Sequence, residues 1–222
     1  MKTIGMLTIG QSPRNDILPE LKSILGEGYA VLEAGALDDL TLKDIENIKI
    51  APDDYVLVSR MRDGREIKIT KRFVLNLLQD KLNELEADGV RLTIIMCTGK
   101  FPVFDSKGLV VTPSEILKGV LEGTLKKGRL GVIYPAEEQL SGAKSSFGRE
   151  GVEVYADHIS PYEAEDELGE LTERLGEQSL DLILLNCFGF DSNMKKVIAE
   201  KTGVPVIQSN SVVARVLKEL AG

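Results

Sequence analysis

The sequence contains very few of the side chains that usually bind metal ions or form disulfide frameworks. Its 222 residues include one His and two Cys. One imidazole is too few for a His-built metal site, and two thiols are too few for an all-cysteine zinc site or a disulfide scaffold. We therefore predict no metal site. The single histidine, His158, precedes a predicted helix start and is interpreted as a surface residue.

An excess of positive charge and long apolar runs are also missing. The 27 Lys and Arg residues are outnumbered by 35 Asp and Glu residues, so the formal net charge is −8, the opposite of what a nucleic-acid-binding surface needs. No stretch approaches the roughly 20 apolar residues of a membrane-spanning helix, and the first residues lack a signal-peptide cleavage pattern. We expect a cytoplasmic protein with free thiols, and neither nucleic acid nor a membrane as its partner.

Short apolar runs alternate with longer amphipathic segments along the whole chain. Runs of this length, mostly rich in β-branched residues, are typical of buried parallel strands. The amphipathic segments, such as 17–25 and 73–85, have one apolar face each and predict helices. The alternation indicates an α/β fold, in which ligands bind at the carboxyl ends of the strands. The predicted strands are 3–9, 30–34, 55–58, 92–96, 130–134, 152–155, 182–185 and 204–207.

Three helix starts are predicted where a hydroxyl residue precedes a proline. These hydroxyl residues are Ser12, Thr112 and Ser160, and in the last two cases Glu115 and Glu163 complete a capping box. Each start follows a predicted strand. Such helix ends carry free backbone N–H groups that attract anions, although most of them only begin a helix.

A hairpin interrupts the regular alternation in the first half of the chain. Asp63-Gly64 lies between two alternating segments, which is the strongest short hairpin signal. Arg60, Arg62 and Arg65 lie near its tip. One interpretation is a solvated edge ribbon whose charge prevents aggregation. The other is a flap that places a guanidinium over an anionic ligand or a partner subunit.

An internal repeat gives the two cysteines a shared position. Residues 92–99 align without gaps with residues 182–189, and Cys97 then matches Cys187. Segments 4–7 and 28–31 resemble segments 130–133 and 151–154 in the same order, and the hairpin has no counterpart. The sequence therefore predicts two similar α/β lobes, each with one thiol between a buried strand and a glycine-containing turn.

The predicted positions of the thiols suit acid/base chemistry at carbon. A strand end followed by a helix start is electropositive, and Gly99 and Gly189 allow a ligand to approach the backbone. If the lobes face each other, Cys97 can remove a proton from a substrate carbon while Cys187 returns one, or the reverse. Two other interpretations stay open: a binding or regulatory protein without turnover, and a redox sensor that forms a Cys97–Cys187 disulfide.

The loop after the first strand supplies further candidate ligand contacts. It is neither a Walker A sequence nor Gly-x-Gly-x-x-Gly, so nucleotide phosphate is not indicated. It offers two neutral hydrogen-bonding groups and one cation at a predicted crevice, although its serine also suits a simple helix cap. The predicted substrate contacts here are Thr8, Gly10, Gln11, Ser12 and Arg14.

The chain resembles the AroM family over essentially its whole length. The resemblance lies in segment 4–14, in the hairpin, in the Cys97 turn, in Asn-Cys-Phe-Gly-Phe at 186–190 and in Val-Pro-Val-Ile-Gln-Ser-Asn at 204–210. AroM-like proteins are similar to the aspartate/glutamate racemase superfamily, whose racemases, maleate isomerases and arylmalonate decarboxylases use one or two cysteines and no cofactor. The resemblance implies two pseudo-symmetric α/β lobes with parallel sheets, and a β-hairpin insertion in the first lobe.

The resemblance also implies roles for residues beside the cysteines. Cys97 and Cys187 would be acid/base or nucleophilic thiols, and Thr98 and the backbone N–H groups after each cysteine would bind carboxylate. Racemases of amino acids usually have Asn-Thr after the first thiol and Thr after the second. Here Thr98-Gly99 and Phe188-Gly189 follow, which disfavours an α-amino acid and indicates a less polar wall at Phe188.

By the same resemblance, the lobes are not simple halves of the chain. The first lobe would contain residues 1–112 and 208–222, and the second residues 113–207. The carboxyl-terminal helix, 211–220, would return to the first lobe and bring Ser209 and Asn210 close to the substrate. We expect a cofactor-independent enzyme that acts on a small carboxylate-bearing molecule, and the sequence leaves formation of a homodimer open.

Overall fold

The computed structural model describes residues 2–162 and 167–222, and contacts between residues divide the chain into two compact units. Unit 1 contains the described residues up to Ser114 together with Ala214–Gly222, and unit 2 contains Glu115–Val213. The sequence-based boundaries after 112 and 207 fall two and six residues earlier in the chain. The difference arises because the chain passes from one unit to the other inside a helix, after Ser114 and again after Val213, and not at the first residue of either helix.

Unit 1 is built around a sheet of four parallel strands. Along the chain it contains β1 (Lys2–Thr8), α1 (Leu18–Leu25), β2 (Tyr29–Gly35), α2 (Leu42–Glu46), β3 (Val56–Arg60), β4 (Glu66–Thr70), α3 (Lys71–Ala87), β5 (Leu92–Ile95) and β6 (Leu109–Val111). The sheet has the order β2-β1-β5-β6. Helix α3 buries Val74, Leu78, Leu82 and Leu85, which form one stripe at helical spacing. Each such side chain contributes about 1.5–3 kcal/mol by leaving water.

Unit 2 repeats this architecture. Helix α4 (Pro113–Thr124) leads into β7 (Gly128–Tyr134), a 3-10 helix (Glu137–Gly142), α5 (Ala143–Phe147), β8 (Val152–His158), α6 (Leu168–Gly176), β9 (Leu182–Leu185), α7 (Ser192–Thr202) and β10 (Val206–Gln208). Helix α8 (Ser209–Ala221) begins in unit 2 and continues into unit 1 at Ala214. The four parallel strands of unit 2 have the order β8-β7-β9-β10. The α/β prediction with two parallel sheets is therefore confirmed.

The hydrogen-bonding registers confirm the internal repeat. Gly5 of β1 pairs with Thr93 of β5, and the aligned Gly131 of β7 pairs with Ile183 of β9. On the other side, β1 pairs with β2 and β7 with β8 at equivalent positions as well. The alignment that matches the two cysteines thus also matches the strand order and the registers of both sheets.

The predicted hairpin is present in unit 1. Strands β3 and β4 are antiparallel, with Val56 opposite Thr70 and Arg60 opposite Glu66. Gly64 in the connecting turn has a φ of +97°, a conformation that favours glycine. In unit 2, the described residues form no equivalent two-stranded ribbon. The hairpin is therefore a feature of the first repeat.

The predicted helix start at Ser12 and the strand β6 differ from the sequence predictions. Ser12 does not begin a helix, because its N–H and its hydroxyl both bond to the Asp38 carboxylate and α1 begins at Leu18. A hydrogen bond to a charged group is stronger than a neutral helix cap. Strand β6 has only three residues, too few for a periodic signal, and no sequence pattern indicates it.

The other two predicted helix starts have different outcomes. The start at Pro113 is confirmed by α4. At Ser160, the hydroxyl accepts a hydrogen bond from the backbone N–H of Tyr162, and helix α6 begins at Leu168. The predicted capping partner Glu163 lies outside the described residues. Within the part of the chain that the structure describes, no helix is both long and apolar enough to cross a membrane.

A buried carboxylate on α3 fixes the loop that leads into β6. Glu86 Oε1 accepts hydrogen bonds from the Ser106 hydroxyl (2.5 Å) and from the backbone N–H groups of Lys107 (2.8 Å) and Gly108 (3.1 Å). The Ser106 hydroxyl and then these N–H groups hold the pKa of Glu86 below its ordinary value. The carboxylate thus supplies one charged acceptor for three donors.

Glu86→Gln should lower the free energy of unfolding by about 1–2 kcal/mol at pH 7, because the donors lose a charged acceptor. Since the folded-state pKa of Glu86 is depressed, its contribution is complete above the unfolded pKa and is lost as the pH falls through the folded pKa. The stability difference between wild type and variant should therefore shrink between pH 7 and pH 3. Urea unfolding measures it, with the exposed Glu84→Gln on the same helix as control. Equal losses in both variants would contradict the assigned role.

Candidate functional site

Both cysteines occupy the same local structure in their respective units. Cys97 lies two residues after the end of β5, and Cys187 two residues after the end of β9. The backbone N–H of Gly99 donates to Cys97 Sγ at 3.4 Å, and the N–H of Gly189 donates to Cys187 Sγ, also at 3.4 Å. A backbone N–H that points at a sulfur stabilises negative charge there. Each unit therefore places one cysteine that forms no disulfide beside a backbone donor, after the equivalent strand of its sheet.

Both turns leave little space for a side chain at their glycine, because other groups pack closely against them. A Cβ atom at Gly99 would lie 3.0 Å from Leu57 Cδ2 and 3.4 Å from both Cys97 Sγ and Phe101 Cε2. At Gly189 it would lie 2.8 Å from the Tyr162 hydroxyl oxygen. Thr98, between Cys97 and Gly99, is half-buried. An aromatic ring thus lies close to the turn that follows each cysteine.

Three consecutive buried side chains, residues 208–210, hold the Cys187 turn in place. They lie at the junction of β10 and α8, and all donate to backbone carbonyl groups on either side of Cys187. Ser209 and Asn210, predicted as substrate contacts, therefore position the turn, and direct contact with substrate stays a prediction. The bonds are Gln208 Nε2 to Phe190 O (2.9 Å), Ser209 Oγ to Leu185 O, and Asn210 Nδ2 to Phe188 O and Phe190 O (3.1 Å each).

The two phenylalanines beside Cys187 are buried. The side chains of Phe188 and Phe190 are both fully buried. Phe190 belongs to a cluster with Ile159, Met194 and Cys187 itself. The Phe188 ring therefore contributes to the core, and its role as a wall of a ligand site stays a prediction.

In unit 1, the loop after β1 lies at the same edge of the sheet as Cys97. Gln11 is buried there and bonds on all sides to the protein. Its Nε2 donates to Leu37 O (3.0 Å) and Leu40 O (2.9 Å), and its Oε1 accepts from the backbone N–H of Arg62 (2.9 Å). A Cβ atom at Gly10 would lie 2.3 Å from Ser59 Oγ, so the loop passes very close to β3.

Asp38 connects this loop to the hairpin. Its carboxylate accepts from the Ser12 N–H, the Ser12 hydroxyl and the Gly35 N–H, each at 2.7 Å. Arg62 adds an ion pair at 3.2 Å and also donates from Nε to Ser12 O at 2.6 Å. The Ser12 groups are therefore bonded within unit 1, and Asp38 is a residue that the sequence analysis did not single out.

Arg14 is almost completely buried, with 3% exposure. Its guanidinium forms a bidentate pair with Asp16 (2.9 and 2.7 Å) and donates to the Thr8 hydroxyl at 3.1 Å. Burial acts to raise the pKa of Asp16, but the hydrogen bonds and charge of Arg14 outweigh it and hold the pKa below its ordinary value. Arg14 therefore has a charged protein partner, and its contact with substrate stays a prediction.

Tyr55 and Lys71 lie beside the Cys97 turn, although the sequence analysis did not select them. Tyr55 lies within electrostatic range of Cys97 and of the backbone of Lys100, three residues further along the chain. Burial raises the pKa of Tyr55, and the negative charge of a Cys97 thiolate adds to the shift. The Lys71 ammonium lies 5.1 Å from the centre of the Tyr55 ring and donates to Lys100 O at 3.2 Å.

A signal for this pair was present in the sequence. The turn at Asp63-Gly64 sets the hairpin register, in which Val56 is opposite Thr70. Extending the ladder by one residue places Tyr55 beside Lys71, and the backbone N–H of Lys71 donates to Tyr55 O at 2.9 Å. The predicted hairpin, followed to its open end, would have identified both residues.

The His, Cys, Asp and Glu side chains of residues 2–162 and 167–222 show no metal-binding arrangement. Among the residues described, no group of three or more His, Cys, Asp and Glu side chains is placed to hold a metal ion. His158 ends β8 with its side chain 42% exposed, and its Nδ1 lies 3.9 Å from Asp157 Oδ1. Asp157 is itself bonded to Arg174 and Tyr155. His158 is thus part of a polar cluster in unit 2.

Comparison with known proteins gives one family and a set of structural relatives. The model of the family described as AroM protein matches residues 4–221. No curated protein matches the sequence significantly.

Solved structures resemble the whole chain. An unliganded arylmalonate decarboxylase is 16% identical, with a TM-score of 0.64, covering 100% of this chain and 93% of its own. Glutamate racemase from Aquifex pyrophilus is 15% identical, with a TM-score of 0.59 and coverage of 98% and 83%. The maleate isomerase Iso from Pseudomonas putida S16 is 13% identical, with a TM-score of 0.58 and coverage of 99% and 91%. Identities this low establish a shared fold and no activity.

Asn210→Ala should lower the free energy of unfolding by about 1–3 kcal/mol, because two buried carbonyl groups lose a donor. The Cys187 turn should become less ordered, so Cys187 should react faster with iodoacetamide while the rate at Cys97 stays unchanged. Peptide mass spectrometry separates the two rates, and Asn193→Ala, exposed on α7, is the control. An unchanged rate at Cys187 would show that Asn210 does not position the turn.

Proposed function

The chain belongs to the AroM family, and from this premise we propose that it is a cofactor-independent enzyme acting at a carbon next to a carboxylate. In this proposal Cys97 and Cys187 are the acid/base residues. The observation that carries the proposal is the matched placement of the two thiols, each after the equivalent strand of its repeat and each with a glycine N–H donating to its sulfur.

The reaction needs a group that removes a proton and a group that returns one. One cysteine, as thiolate, takes the proton from the α-carbon, and the negative charge that develops spreads into the carboxylate. The other cysteine, as thiol, then gives a proton to the same carbon. A thiol has an ordinary pKa of about 8.5, close enough to neutral pH for both forms to be accessible. Backbone N–H groups near each sulfur would stabilise the developing charge.

The names of the structural relatives support a carboxylate substrate. Glutamate, maleate and arylmalonates all carry carboxylate groups, and the corresponding reactions are racemisation, isomerisation and decarboxylation. The residues that follow each cysteine, Thr98-Gly99 and Phe188-Gly189, offer few polar side chains for an amino group. We therefore propose hydroxy acids, unsaturated acids or malonates as substrates ahead of α-amino acids.

Proton exchange in heavy water tests the proposal directly. Wild-type protein should incorporate deuterium at the α-carbon of at least one compound from a panel of amino acids, hydroxy acids and malonates. Cys97→Ala and Cys187→Ala should each reduce the rate by about 10²- to 10⁴-fold, because each removes an acid/base group. Asn193→Ala, exposed on α7, should retain the wild-type rate.

Exchange that continues unchanged in both cysteine variants would overturn the assignment of the thiols. A wild-type protein that exchanges no compound of the panel, yet gains thermal stability from one of them, would be a binding protein and not an enzyme. Circular dichroism of each variant checks that the fold is retained.

A further inference from the structure

We propose that Tyr55 and Lys71 form a carboxylate-binding subsite beside Cys97. This inference deepens the proposed function and rests on it for the class of ligand, although its test requires no turnover. In this proposal the subsite, and not the loop after β1, supplies most of the side-chain donors to a ligand in unit 1. The ligand is identified by its chemistry: an anion with two oxygens that can meet one phenol O–H and one ammonium.

The predicted donors in the loop after β1 already bond to groups of the protein. The side-chain amide of Gln11 bonds to two carbonyl groups, and the Ser12 hydroxyl bonds to Asp38. Arg14 bonds to Asp16 and is buried. Freeing any of these groups for a ligand would leave its buried protein partner without a hydrogen bond, which costs about 1–3 kcal/mol. Further side-chain donors for a ligand at Cys97 would therefore come from another part of unit 1.

The open end of the hairpin brings Tyr55 and Lys71 together. The Lys71 N–H donates to Tyr55 O at 2.9 Å, and the Lys71 ammonium lies 5.1 Å from the Tyr55 ring centre. The Lys71 ammonium also donates to the Lys100 carbonyl at 3.2 Å. Three contacts thus hold the ammonium between the Tyr55 ring and the turn that begins at Cys97.

Tyr55 and Lys71 can each donate a hydrogen bond to a ligand. The Tyr55 residue is 43% exposed, and its phenol O–H can donate to a ligand. Because the pKa of Tyr55 is raised, the phenol keeps this proton throughout the neutral range. An ammonium has three N–H donors, and the Lys100 carbonyl accepts from one of them. A neutral phenol and a cation side by side can therefore donate to the two oxygens of one carboxylate.

The charges around Lys71 favour an anionic ligand. Asp54 precedes Tyr55, but its carboxylate pairs with the Arg72 guanidinium, with contacts of 3.0 Å. The negative charge of Asp54 is therefore matched by a cation of its own. The positive charge of Lys71 remains to offset a ligand carboxylate and the Cys97 thiolate, which would otherwise repel each other.

Two alkylating reagents of nearly equal size provide the test. Iodoacetate carries a carboxylate and iodoacetamide does not, so the ratio of their rates at Cys97 reports attraction of a carboxylate to that thiol. Tyr55→Phe and Lys71→Met should each lower this ratio by about fivefold, the effect of about 1 kcal/mol in a partly exposed pair. Lys71→Arg should retain most of the wild-type ratio. Peptide mass spectrometry measures both cysteines in the same sample.

Matched variants separate this effect from general changes. Tyr29→Phe removes a phenol from β2, and Lys22→Met removes one positive charge from α1, and both should leave the ratio at Cys97 unchanged. The ratio at Cys187 should also be unchanged in Tyr29→Phe and Lys22→Met. An unaltered ratio at Cys97 in Tyr55→Phe and Lys71→Met would overturn the subsite.

The alkylation result is independent of proton exchange. If the cysteine variants keep their exchange activity, the proposed reaction is wrong while a lowered iodoacetate ratio would still establish the subsite. If exchange depends on the thiols but the ratio does not respond to Tyr55 and Lys71, the reaction stands and the subsite is wrong.

Discussion

The burial of both faces of each parallel sheet is the constraint on which the rest of the structure depends. Most residues of strands β1, β5, β7 and β9 are buried, and most of the buried ones are apolar. Polar chemistry is thereby confined to the residues that follow the carboxyl ends of the strands. Cys97 and Cys187 are the first residues after β5 and β9 that combine a reactive side chain with a glycine turn.

Most polar side chains at these strand ends hold backbone in place. In unit 1, Asp38 and Gln11 fasten the loop after β1 to the hairpin, and in unit 2, Gln208, Ser209 and Asn210 fasten the Cys187 turn. Each bond contributes about 1 kcal/mol net, but an orphaned buried partner costs more. A polar residue at the correct edge of the sheet is therefore more often a support than a ligand contact.

The parts of the fold that could be predicted are those with a local or repeated signal. Apolar runs, one-sided helices and the Asp63-Gly64 turn indicated the sheets, α1, α3 and the hairpin, and the repeat gave the matched cysteines. The interaction of Ser12 with Asp38 could not be predicted, because the two residues are brought together only by the pairing of β1 with β2. The same holds for the bonds of Asn210, which join segments 20 or more residues apart.

The hairpin makes the two repeats unequal. They have the same strand order and register, so duplication alone gives each thiol the same strand end and the same glycine turn. Within the described residues, an antiparallel ribbon occurs in the first repeat, and its open end carries the Tyr55 phenol and the Lys71 ammonium. An insertion into one copy of a duplicated unit therefore adds polar groups to that unit while the repeated framework of both stays the same.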